Sequence, residues 1–71
     1  MKAIFKYSNG MQFLGVATDE EVAIKKLFEL YADKDLYTAE NFWGYEERAI
    51  EGWWRAARRY FVIEDVKVWG E

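Results

Sequence analysis

Neither cysteine nor histidine occurs anywhere in the 71 residues. Their absence excludes disulfides, thiolate zinc sites and every nucleophilic mechanism built on a Ser-His or Cys-His pair. It also leaves the fold without a covalent or metal staple, so stability has to come from apolar packing or from self-association. Proline is missing as well. No run approaches the roughly 18 apolar residues that a membrane-spanning helix needs. The opening MKAIFKYSNG has neither a long apolar stretch nor a small-residue cleavage site, so it does not read as a signal peptide, and a cytoplasmic setting is expected. The five glycines, at positions 10, 15, 44, 52 and 70, fit neither GxGxxG nor a P-loop. No cofactor is expected. The acids of Asp33-Lys34-Asp35 lack the glycine and downstream glutamate of a calcium loop and read as a solvated turn.

Aromatic side chains are what the chain has in excess, at 20% of its residues. A domain this small buries only about 60% of the surface its unfolded chain exposes. Each enclosed ring hides roughly 150–250 Å², so fourteen of them will not all fit inside. Some are expected at the surface, where large aromatics mark contact with another molecule. The net charge of −3 is too small for a nucleic-acid mimic or binder. It is unevenly spread, however. Residues 33–47 hold five acids and one lysine, whereas 48–60 hold four arginines and one glutamate. Charges segregated in this way pair with each other or stay solvated more often than they steer a partner.

Residues 2–17 read as a hairpin around Asn9-Gly10, the strongest short turn signal. A two-residue turn pairs Tyr7 with Gln12, Phe5 with Leu14 and Ala3 with Val16. That register gathers Ala3, Phe5, Tyr7, Leu14 and Val16 on the core face and sets Lys2 and Lys6 on the other. The second face is not purely polar, since Ile4, Met11 and Phe13 share it. TDEEVAIKKLFELYAD predicts a helix over 19–32, with Thr18 as N-cap and Glu21 completing a capping box. Residues 33–38 form a charged loop in which Thr38 can cap a turn running into Phe42. A second helix follows to Tyr60, starting at about residue 45 or as early as Ala39. The β-branched stretch 61–69 reads as a third strand, with a bulge at Glu64-Asp65 that brings Ile63 and Val66 to one side.

EGWWRAARRYF, residues 51–61, interleaves rings with arginines. On a helical wheel of about 100° per residue the two kinds separate. Trp53, Phe42, Ala49, Ala56 and Tyr60 fall on one arc, and Arg48, Arg55, Arg58, Arg59, Glu47 and Glu51 on the opposite one. Along the margin runs a row of Trp43, Ile50, Trp54 and Phe61. This row, with Trp69, is the candidate protein-interaction edge; Trp43 and Trp54 can equally serve to cover the flank of the sheet. Arg55, Arg58 and Arg59, with Lys25 and Lys26, are the candidate set for the alternative of nucleic-acid binding. Glu46 falls within the apolar arc but lies in the first helical turn, where its carboxylate reaches water. No second group stands at convincing spacing for acid–base work, so no catalytic residue and no enzymatic activity is expected.

The run FLGVATDEEVAIKKL, followed by a helical region and then YFVIEDVKV, resembles small β-β-α-β modules of bacteria and their phages that carry a G-V-Y-S-x-E-E-x-A segment at the strand-to-helix junction. Gly15, Val16, Thr18, Glu20, Glu21 and Ala23 are the matching residues, and residues 33–60 depart by inserting a second helix. The resemblance implies the fold and a bacterial or phage source; it brings no activity with it.

The expected architecture is a single α+β domain in β-β-α-α-β order, with a three-stranded antiparallel sheet of order 2-1-3 covered on one face by two helices. Trp53, Phe42, Tyr60, Leu27, Ile24, Phe28, Leu14, Phe5, Val66 and Val68 are the expected core. The expected role is a protein-interaction module that binds a host protein or pairs with itself as a homodimer through surface aromatics.

Overall fold

The structure, a computed structural model, describes residues 1–66. The expected places of Val68 in the core and of Trp69 at a contact edge lie outside the described residues. The chain forms β1 (Lys2–Tyr7), β2 (Met11–Ala17), α1 (Glu20–Tyr31), α2 (Glu46–Ala57) and β3 (Phe61–Asp65), with short 3₁₀ turns at Glu40–Phe42 and Arg58–Tyr60. The sheet is antiparallel with order β2-β1-β3. Class, element order and strand order are those expected.

The hairpin closes differently from a two-residue turn. Tyr7 pairs with Met11, Lys6 with Gln12 and Phe5 with Phe13, so the loop is Ser8-Asn9-Gly10. Asn9 and Gly10 both take positive φ, at 55° and 114°, the backbone that recommends Asn-Gly for a tight connection. A register shift between Ile4 and Phe5 then restores Ile4 opposite Gly15 and Ala3 opposite Val16. Leu14 is the extra residue of this bulge, and it packs against the core.

The expected faces are inverted along β1 and at Val16, while Leu14 keeps its place in the core and Met11 and Phe13 theirs outside. Ile4 is the strand residue at the centre of the core, only 5% exposed, and Ile63 and Phe61 pair across from Ile4 and Lys6 on the same side. Phe5, expected in the core, points to the opposite side with Phe13, the two rings meeting edge-on at 5.6 Å. Lys2 and Lys6 therefore lie on the helix side, at its two ends. Lys2 reaches Asp65 at 2.6 Å, and Lys6 holds its ammonium 5.1 Å from the centroid of the Tyr31 ring. Long apolar stems allow lysine to flank a core while its charge stays at the rim.

Asp19, not Thr18, caps α1: its carboxylate accepts the Val22 N–H at 2.9 Å. Glu21 then stands one position short of a capping box, although it still places negative charge on the positive helix end. At the other end Lys34 folds back, donating to the Phe28 carbonyl at 3.3 Å with its ammonium 4.4 Å from the ring centroid. The loop is tied locally. The Asp33 carboxylate accepts the Asp35 N–H, and Thr38 Oγ1 accepts the Asn41 N–H.

Residues 39–44 do not join α2. Trp43 and Gly44 both adopt left-handed backbone, with φ of 57° and 81°, which ends the 3₁₀ turn and re-aims the chain into α2. Ala23, Leu27 and Phe28 of α1 meet Ala49, Trp53 and Ala57 of α2 over Ile4 and Phe61. Trp53 is the hub, with Phe28 edge-on at 5.8 Å and Phe61 at 6.0 Å. Of the remaining expected core residues, Tyr60 is 53% exposed because the helix gives way to a 3₁₀ turn after Ala57. Val66 lies past the end of β3, 38% exposed; β1 and β3 pair without a bulge, so nothing turns it inward. Ile24 is half-buried beside a surface groove.

Candidate functional site

Both helices lie on the Ile4 side of the sheet, so the other side has no covering element among the described residues. Its side chains follow from the pairing: Ala3, Phe5 and Tyr7 from β1, Met11, Phe13 and Val16 from β2, Val62 and Glu64 from β3. Tyr7, Met11, Phe13 and Val16 are each at least half exposed, at 57%, 51%, 58% and 50%. Glu64 is the one charged residue in the set. An antiparallel sheet with one solvated face ordinarily alternates apolar-in with polar-out. Here the solvated side is apolar too, while lysine and aspartate sit at the ends of the covered one.

The expected interaction edge on α2 is dispersed by the fold. Phe61 is 8% exposed and belongs to the core, because β3 begins at this residue and pairs it with Lys6 on the helix side. Ile50 and Trp54 are half-buried and pack on the core, the Trp54 ring lying 6.4 Å from Phe61. These three serve the flank of the sheet. Trp43 is different, at 77% exposure. Its left-handed backbone holds the indole out from the body, and the Arg48 guanidinium lies 5.5 Å from its ring and 4.6 Å from that of Tyr45.

The basic residues do not assemble into a stripe. Arg55 pairs with Glu51 at 3.2 Å, Lys26 lies 4.0 Å from Glu29, and the Arg59 guanidinium lies 5.9 Å from the Tyr60 ring. Lys25 lines a groove of about 470 Å³ between α1 and α2, whose rim is acidic through Glu20, Glu21, Glu46, Glu47 and Glu51 and whose floor is Ile24, Ile50 and Trp54. A phosphate backbone meets repulsion there. The rim acids at 20, 21, 46 and 47 occupy the first turns of the two helices, where they offset the helix dipoles. Glu46 is solvent-exposed within this rim.

A second depression of about 380 Å³ is lined by Tyr31, Tyr37, Trp53, Tyr60 and Phe61, with the Lys6 ammonium beside the Tyr31 ring. Among the described residues no three acids converge closely enough to hold a metal ion, and no helix is long and apolar enough to cross a membrane.

The sequence places Tyr7 and Val16 on the core face, not at the surface, and shows Met11 and Phe13 only as apolar intruders on the opposite one. The available signal was the run of apolar residues on both sides of each strand, which no single-sided sheet requires. No protein-family model matches the chain, nor does any curated protein or solved structure.

Proposed function

We propose that this chain is a small protein-interaction module without catalytic activity, and that it works through the open face of its sheet. The observation that carries the reading is the apolar character of that face together with its exposure. Of the thirteen aromatics among the described residues, only Phe28, Trp53 and Phe61 are buried. Contiguous apolar surface of this kind costs solubility and is the usual mark of a protein contact. Nucleic-acid binding through Arg55, Arg58, Arg59, Lys25 and Lys26 is the weaker reading, since carboxylates accompany three of these five positions.

The test is capture of a partner from the native cell by the immobilised chain. Phe13→Glu combined with Val16→Lys places opposite charges on the open face and is expected to abolish retention. Arg58→Glu with Arg59→Glu is expected to keep it. The reverse pattern, with micromolar binding to random-sequence DNA that falls steeply as salt rises, overturns the proposal.

A further inference from the structure

We infer that the open face is closed by a second copy of this chain, the two sheets packing face to face with the helices outermost. This rests on the reading of that face as the contact surface and adds the identity of its occupant.

Charge is the first argument. Two copies of an acidic chain repel wherever their glutamates meet, and the helix side carries five of these around one groove. The open face offers Glu64 alone among the described residues, so it is the side on which two like-charged molecules can approach without carboxylates opposed. Area is the second. With Tyr7, Met11, Phe13 and Val16 at least half exposed and Phe5 and Val62 half-buried, the face offers about 500–600 Å² per copy, taking roughly 150–250 Å² for a ring fully uncovered. Two such faces bury about 1,000–1,200 Å², the lower limit for a specific interface.

Shape is the third. The face is graded along its strands. Ala3, Val16 and Glu64 share one end of the register, Phe5, Phe13 and Val62 the middle, and Tyr7 with Met11 the end next to the turn. A twofold axis lying between the sheets, across β1 at Phe5, sets the bulky end of each copy over the small end of the other. Large then meets small, as interdigitating cores require. The same axis keeps the two Glu64 carboxylates apart. Sheets packed in this way sit about 10 Å apart, with inward side chains filling the gap. The contact is isologous, so it closes at two copies and does not propagate.

Sedimentation equilibrium tests the proposal. The wild type is expected to shift from 8.5 kDa toward about 17 kDa as its concentration rises through the micromolar range. Phe13→Glu, and independently Val16→Lys, are expected to stay monomeric with native circular dichroism. The axis is tested separately, because a cysteine-free chain reports cleanly on introduced thiols. Mixed Ala3→Cys and Tyr7→Cys chains are expected to cross-link to each other in preference to themselves. A wild type that remains at 8.5 kDa up to about 1 mM, where even a millimolar complex is well populated, overturns the second copy. If the paired Phe13 and Val16 variant still loses a heterologous partner, the contact-face reading survives that result; if it loses none, both fall. A dimer that persists in Phe13→Glu and Val16→Lys places the contact elsewhere and refutes the inference. So does a monomer whose face binds an apolar dye only after residues 67–71 are deleted, which makes that segment the occupant.

Discussion

Gly52 sits inside α2, one residue before the Trp53-Trp54 pair. On propensity alone it invites replacement, since alanine is favoured over glycine in a helix interior by about 1 kcal/mol. Contact geometry argues the opposite. A Cβ added at Gly52 meets Phe42 Cε1 at 2.7 Å and Cζ at 3.2 Å, whereas carbons settle at about 3.5–4.0 Å, so the ring has to retreat by about 1 Å. It has little room to do so. Phe42 stacks on Tyr37 at 5.8 Å with 17° between the planes, and its backbone lies in the turn capped by Thr38. Overpacking of this kind costs about 1–3 kcal/mol. Gly52→Ala is therefore expected to lose about 1 kcal/mol net, lowering Tm by about 4–8 °C for a domain of this size.

The decisive assay is a double-mutant cycle followed by circular dichroism in heat and in urea. Leucine at position 42 lacks the far edge of the ring, so Gly52→Ala in the Phe42→Leu background is expected to stabilise by up to about 1 kcal/mol. A coupling of at least about 1 kcal/mol between the two positions then follows. Should Gly52→Ala alone raise Tm by several degrees, the reasoning is refuted, and Phe42 does not occupy the place that excludes a side chain from this helix.

Further expectations concern caps, strain and pH. Asp19→Ala is expected to cost about 0.5–2 kcal/mol by removing the N-cap acceptor, and Thr18→Ala much less; urea titration of both variants distinguishes the two caps. Trp43→Asn is expected to leave Tm unchanged or higher, because asparagine tolerates left-handed backbone and the indole is 77% exposed. A fall of many degrees in that variant would mean the ring is part of the core. The Asp65 carboxyl is held below its ordinary range by the hydrogen bond and charge of Lys2, and the Lys2 ammonium is held above its own by the same partner. Their contribution is complete between the unfolded values of about 3.9 and 10.4. It is lost as pH falls through the depressed Asp65 value or rises through the raised Lys2 value. The stability difference between wild type and Asp65→Asn is thus expected to be flat across neutral pH and to close only at the two extremes.

The gross fold was legible because it rests on local signals that agree with one another: Asn9-Gly10 for the turn, acids before an apolar periodicity for α1, a wheel that separates rings from arginines for α2. Strand order followed from the need for every pairing to be antiparallel. The sheet's orientation was not legible, and the reason is specific. Lys2 and Lys6 mark the solvent side by residue type alone, yet they stand at the ends of β1, where stems can flank a core while ammoniums reach Asp65 and Tyr31. Leu14 masks the inversion. A bulge is a count of one residue, invisible to alternation, and it leaves Leu14 in the core and Phe13 outside, where an unbulged register also sets them, while Ala3, Phe5, Tyr7 and Val16 change sides. A helical wheel extended past Ala57 puts Phe61 on the α2 margin, but the helix no longer runs there and Phe61 opens β3.

These errors share a cause, which is that both faces of the hairpin are apolar and only tertiary packing selects between them. The selection has an energetic consequence. Three of the eight core residues are alanines, and no large side chain is fully enclosed, so the helices contribute a shallow core and leave the rings of Phe5, Tyr7 and Phe13 on the far side of the sheet. If a second copy covers them, folding and association become one equilibrium, and Tm depends on concentration. A tenfold rise in chain concentration is then worth about 1.4 kcal/mol per dimer, or about 0.7 per chain. For a domain of this length that is about 3–6 °C in Tm per decade. Wild type is expected to show that slope and Phe13→Glu to show none. A wild-type Tm independent of concentration would mean that the shallow core stands alone, with its second apolar face left to water.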